Sequence, residues 1–143
     1  MPYQYLEEIA TADVAFKAWG ESPQAMILAA GDATMQVMVE DLEAISEHLT
    51  RTFAVQAESM EMLLFDILQE IIYYKDADQL LLRLKNISIQ EQNGSFAAAV
   101  EARGEKLDPT KHALNADVKA VTLHRFCVQQ TAHGWEATVV LDI

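Results

Sequence analysis

The sequence predicts an α+β fold: one domain over residues 1–143, with a mixed, mostly antiparallel β-sheet and two packed α-helices. Three observations lead there. The elements run strands, helix, strand, helix and then four strands in succession, a grouping that favours α+β over an alternating doubly wound sheet. Two stretches carry apolar residues at helical spacing, and the others alternate with period two. Asn93-Gly94 joins two alternating runs, and both residues tolerate the positive φ of a tight hairpin turn.

Tyr3 to Leu6 reads as a short strand leading into Ile9-Ala10-Thr11-Ala12-Asp13. Asp13 stands between Ala12 and Val14 at the mouth of the next strand, where an acid is either a turn-former or a ligand. Val14 to Trp19 alternates, with Val14, Phe16 and Ala18 on one side, and Gly20 ends it. Ser22-Pro23 is a helix start, Ser as N-cap and Pro at the first helical position. Met26, Ala29, Ala30, Ala33, Val37 and Met38 place the first helix over 23–39. An acidic connection follows over 40–47, read as a solvated loop, and then an alternating strand from Arg51 to Ala57. Ser59 caps a second helix through about Tyr74, whose apolar face is Leu63, Leu64, Ile67, Leu68, Ile71 and Ile72. After a turn at Asp76-Ala77-Asp78 come Leu80–Leu84 and Ile87–Gln92, the hairpin, and Ser95–Arg103. A polar connection over 104–117 leads to two last strands, Val118–Gln130 and Trp135–Asp142, turning at His133-Gly134. The first of these is long enough to need a bend or bulge.

Composition bounds the function. At 143 residues the chain buries a core without a disulfide, and its one cysteine, Cys127, excludes an internal disulfide or a multi-cysteine metal site. No apolar run approaches membrane-spanning length, and the N-terminus reads without a signal peptide, so the expected location is the cytoplasm. Ten basic residues against 22 acidic ones give a net charge of −12, which leaves little from which to build a phosphate-neutralising face. Direct nucleic-acid binding and attachment to an anionic membrane are therefore not expected. A cation or a basic protein partner is favoured instead.

Catalytic motifs are absent. The five glycines flank no strand-to-helix phosphate fingerprint, and His48, His112, His124 and His133 show no zinc-ligand pairing. Cys127 sits between Phe126 and Val128, a poor setting for a reactive thiolate. What remains is acid chemistry. Asp142 and Ile143 end the chain, so a side-chain carboxylate and an α-carboxylate lie on adjacent residues after an alternating strand. Oxygen-only donors suit a hard cation such as calcium or magnesium, and a solvated terminal acid is the plainer alternative.

These stretches resemble the archease family, from end to end and in the family's order. The matching pieces are Tyr5-Leu6, Thr11-Ala12-Asp13-Val14, Ala18-Trp19-Gly20, Asp41-Leu42, and Gly104-Glu105 followed by Asp108-Pro109 and His112. The most specific are Val118-Lys119-Ala120-Val121-Thr122 with His124, and Gly134-Trp135 through Val139-Val140-Leu141-Asp142-Ile143. The resemblance implies a non-catalytic accessory factor of an RtcB-type RNA ligase, which joins RNA ends in tRNA splicing and RNA repair. Such factors promote GTP-dependent guanylylation of the ligase and its multiple turnover, the GTP belonging to the ligase. It also implies a divalent metal, taken as calcium, at Asp13, Asp142 and the terminal Ile143, and a contact from Lys119 to the ligase or its nucleotide. Many archeases have a histidine directly before the Thr-Ala-Asp triplet, where this chain has Ala10. Two other classes stay open on the residues alone: a free-standing metal-dependent phosphoester hydrolase, and a chaperone-like module for another RNA-processing protein.

Overall fold

Apolar alternation at this many positions needs two surfaces to cover it, and the strands accordingly divide between two sheets. The computed structural model describes residues 2–6 and 13–143. In chain order the elements are β1 (Tyr3–Tyr5), β2 (Asp13–Gly20), α1 (Pro23–Met38), β3 (Leu49–Ala57), α2 (Met60–Asp78), β4 (Leu80–Gln92), β5 (Ser95–Lys106), β6 (Ala120–Thr131) and β7 (Gly134–Asp142). One sheet has the order β1-β2-β7-β6 and the other β3-β5-β4. Every strand pair in both is antiparallel. Each helix touches strands of both sheets, α1 meeting β2, β7 and β4 while α2 meets β6 and all of β3, β4 and β5. The α+β reading of the sequence holds, with the antiparallel strands shared between two sheets around the helices.

The helices explain their own composition. A helix packed between layers must be apolar around most of its circumference, and α1 buries Met26, Ile27, Ala29, Ala30, Gly31, Ala33, Thr34, Met35, Val37 and Met38. Its alanines and Gly31 let it come close: a Cβ at Gly31 would lie 2.6 Å from Leu84 Cδ1. Both predicted caps form, Ala25 N–H donating to Ser22 Oγ and Met62 N–H to Ser59 Oγ, each at 3.1 Å. Gly104 has a stricter cause. A Cβ there would meet the Leu81 carbonyl oxygen at 1.7 Å, so β4 and β5 can approach only over a glycine.

Several boundaries differ from the sequence expectation for identifiable reasons. The expected turn at Asp76-Ala77-Asp78 is the last turn of α2, which ends instead at Gln79 in the left-handed conformation, φ 55°. Lys75 holds that turn. Its side chain is buried and donates to Asp76, to Asp117 Oδ1 at 2.7 Å and to the Val118 carbonyl at 2.7 Å. Burial opposes its charge, but Asp117 and Asp76 outweigh that and hold the ammonium above its ordinary value. Leu80–Leu84 and Ile87–Gln92 are one strand, β4, with a register shift between Leu84 and Asn86. The acidic connection contains a short 3-10 helix, Leu42–Ala44, whose first N–H groups are met by Asp41 Oδ1 accepting from Glu43 at 3.0 Å. The bulge expected in the long penultimate strand falls between Thr122 and Cys127, with Arg125 at φ 54°.

β6 is the outer strand of its sheet, and α2 covers the backbone donors it would otherwise leave open. Val121 N–H donates to Gln69 Oε1 at 3.0 Å and Val128 N–H to Glu61 Oε2 at 3.2 Å. The polar connection before β6 is fixed from the other side. Glu105 Oε2 accepts from Ser46 N–H at 2.7 Å, from Lys111 Nζ at 2.6 Å and from His112 Nε2 at 2.9 Å. His112 is buried, and its Nδ1 accepts from Asp108 N–H at 2.9 Å, which places the ring proton on Nε2, facing Glu105. Lys111 above all, then the Ser46 amide and His112, holds the Glu105 carboxyl down to about 2.

Two outcomes are expected. Lys75→Met leaves the Val118 carbonyl without its donor and costs about 1–3 kcal/mol of unfolding free energy, read by urea denaturation. A depressed carboxylate contributes its stability in full above its ordinary value of 4.5 and loses it as pH falls toward 2. The wild-type urea midpoint therefore drops across that window, and Glu105→Gln has a lower midpoint at neutral pH and a shallower acid dependence.

Candidate metal centre

β2 and β7 run antiparallel in unbroken register, from Asp13 opposite Asp142 and Val14 opposite Leu141 to Gly20 opposite Trp135. The pleat then sorts their side chains. Val14, Phe16 and Ala18 face Leu141, Val139 and Ala137 on the core side. Asp13 and Asp142 therefore share the other face, as directly opposed partners with Cβ atoms about 4.5–5.5 Å apart. Asp13 opens β2 as a strand residue, and the turn expected before it lies outside the described residues.

The surroundings of the pair come from the same ladder. The next residues on that face, Ala15 and Val140, are opposed to each other and buried, so the two half-buried acids stand beside apolar packing. Ala120 of β6 is the partner of Asp142 on its other flank, a small side chain that adds no competing group. Lys119, exposed, donates its backbone N–H to the Asp142 carbonyl at 2.8 Å, and Ile143 packs half-buried against the core. The four residues singled out in the sequence, Asp13, Lys119, Asp142 and Ile143, thus converge on one end of one sheet. Thr11, Ala12 and the Ala10 position lie outside the described residues.

The chemistry of this donor set fits a hard cation. Two carboxylates held opposite each other in a ladder repel, and a divalent ion with oxygen preference relieves that directly. Among the described residues no three His, Cys, Asp or Glu side chains come together, and the acids on this face are the opposed Asp13 and Asp142. The remaining histidines offer no alternative: His112 is buried against Glu105, while His48, His124 and His133 are exposed. Cys127 is a free, half-buried thiol opposite Thr138.

Sequence reasoning missed two side chains that tie distant segments together. Lys75 reaches Asp117 and Val118, 42 and 43 residues on, and so fixes the segment that delivers Lys119. Its only local signal was a cation in the last turn of an apolar helix. Glu105 was visible as part of Gly104-Glu105, but not its grip on Ser46, 59 residues earlier.

Comparison with known proteins agrees with this architecture. Residues 3–143 match the Archease protein family (MTH1598/TM1083). Protein archease of Methanosarcina barkeri is 33% identical over 142 residues, covering 99% of this chain and 95% of that protein. The solution structure of Methanobacterium thermoautotrophicum protein 1598 superposes with a TM-score of 0.85 at 26% identity, covering 99% of each chain. The crystal structure of a Thermotoga maritima protein, described as an archease and possible chaperone, gives a TM-score of 0.63 at 18% identity over 96% of this chain and 97% of that one, a likeness of fold alone. A family match across nearly the whole length, with a relative above 30% identity, shows that the chain belongs to the archease family.

Proposed function

We propose that this archease is a cytoplasmic, non-catalytic activator of an RtcB-type RNA ligase. It promotes GTP-dependent guanylylation of the ligase and its multiple turnover in tRNA splicing and RNA repair. In this reading Asp13, Asp142 and the α-carboxylate of Ile143 hold a divalent cation, calcium being the expected ion. The observation that carries it is the in-register opposition of Asp13 and Asp142, at the end of the sheet where Lys119 is exposed. The ligase is what the resemblance to archeases implies as partner, and the family match is consistent with that reading.

The division of labour follows from the geometry. The β2–β7 ladder sets Asp13 opposite Asp142, and the Lys119 amide holds the Asp142 backbone in place. A bound divalent ion would supply positive charge that phosphate oxygens can approach. Lys119 adds a second cation at the same end, suited to the ligase or its nucleotide. The chain's net charge of −12 complements the basic, RNA-binding face expected of a ligase, which speeds encounter.

The test is a guanylylation assay with the cognate ligase. Asp13→Asn and Asp142→Asn each lose stimulation and weaken calcium binding by about tenfold or more in calorimetry. In chelator both variants are at least as stable as the wild type, because an opposed like-charge pair has been relieved. Normal stimulation by either variant sinks the metal reading, and an unchanged ligase rate with wild-type protein sinks the activator reading. Extending the C-terminus converts the Ile143 carboxylate to an amide and should weaken calcium binding; undiminished affinity removes Ile143 from the site and spares the two aspartates.

A further inference from the structure

The far end of the same ladder carries a second feature, unrelated to the acids. A cavity of about 370 Å³ opens there, its walls including Trp19, Glu21, His133, Trp135, Glu136 and Pro2. The volume lies in the range of small-ligand sites. Trp19 lies six residue steps along β2 from Asp13, so the two ends are about 20 Å apart. The cavity is built, not incidental. Gly134 has φ +142°, and a Cβ on it would lie 2.2 Å from the Gly20 carbonyl oxygen. That close approach presses the turn after β2 against the β6–β7 hairpin and sets the walls.

Its lining has the chemistry of an organic-cation site. Both tryptophans of the chain are in it, and Trp19 is 39% exposed, a large aromatic surface left for something to cover. Indole faces attract cations through the ring quadrupole. Two carboxylates add to that field. Glu136 already engages an alkylammonium, Lys17 Nζ at 3.6 Å, whereas Glu21 has no cationic partner among the described residues. The lining therefore offers an exposed indole and an acid without a cationic partner. A guanidinium fits it better than an ammonium, because it stacks flat on indole while its edge forks onto a carboxylate. The net charge of −12 favours a basic protein as its source.

We propose that this cavity receives an arginine side chain of a partner protein, stacked on Trp19 and paired with Glu21. The contact is separate from the acid end and does not depend on the ligase reading. Because both tryptophans lie in the cavity, intrinsic fluorescence reports its occupancy. The full chain, in chelator, is titrated with acetyl-Gly-Arg-Gly-amide, with the citrulline peptide as neutral isostere, and with tetramethylammonium. The arginine peptide should give a saturable change, at least about fivefold tighter than citrulline. Glu21→Gln and Trp19→Leu should each weaken it about threefold or more while far-UV circular dichroism is unchanged. Should Trp19→Leu fail to fold, Glu21→Gln decides. A non-saturating response, or equal binding of citrulline, overturns the proposal; tighter binding of tetramethylammonium replaces the protein partner by a small quaternary ligand.

Discussion

Eight consecutive cross-strand pairs tie Asp13–Gly20 to Trp135–Asp142, and their register decides what each end of the molecule can do. Side-chain period in a strand is two, so a slip of one residue would send Asp13 and Asp142 to opposite faces and turn either Phe16 or Val139 out of the core. The core thereby enforces the acid pair. Phe16, Ala18, Ala137, Val139 and Leu141 are almost completely buried, and burying such side chains is worth about 1.5–3 kcal/mol for each of the larger ones. The electrostatic cost of two opposed carboxylates is smaller than that. Packing therefore wins, and the acids are held together whether or not a cation relieves them.

What the sequence made legible was whatever local chemistry could announce. Periodicity placed α1 and α2, the serines marked their starts, and Asn93-Gly94 marked the β4–β5 turn, where both residues have positive φ. The acid pair was approachable because Asp13 and Asp142 each stand at a strand end, but only the fold shows that they are partners. Hidden features were those whose cause lies far along the chain. α2 outran its expected end because Lys75 finds Asp117 and Val118, not because its own residues favour helix there. Gly104 read as part of a polar connection, yet it belongs to β5 because the Leu81 carbonyl occupies the space of a side chain. The two tryptophans gave no joint signal either, being separated by the entire chain between β2 and β7.

Polar groups in this protein do their structural work at junctions. Arg83, mostly buried, forks onto Asp32 of α1 with two bonds of 3.0 Å and reaches Glu43 at 3.2 Å, joining β4, α1 and the short 3-10 helix. Asp32 foremost holds its guanidinium above the ordinary value. Lys75 joins α2 to the approach of β6, and Glu105 joins β5 to the segment before β3. Each cation or carboxylate is satisfied by several partners from different elements. Among the described residues no buried side-chain polar atom lacks a hydrogen bond. A surface rich in acids is thus compatible with a satisfied interior, because Lys75 and Arg83 are spent where elements meet.

The side-chain caps on β6 have a consequence for how the molecule behaves in company. An outer strand normally offers a row of amides that can recruit another chain's strand and propagate a sheet. Here Gln69 and Glu61 of α2 already occupy two of those amides, and the bulge around Arg125 bends the strand between them. At the opposite margin β1 is only three residues long, too short to template much pairing. The four-stranded sheet is therefore self-terminating on both sides. This sheet is therefore poorly suited to recruiting a further strand at either margin.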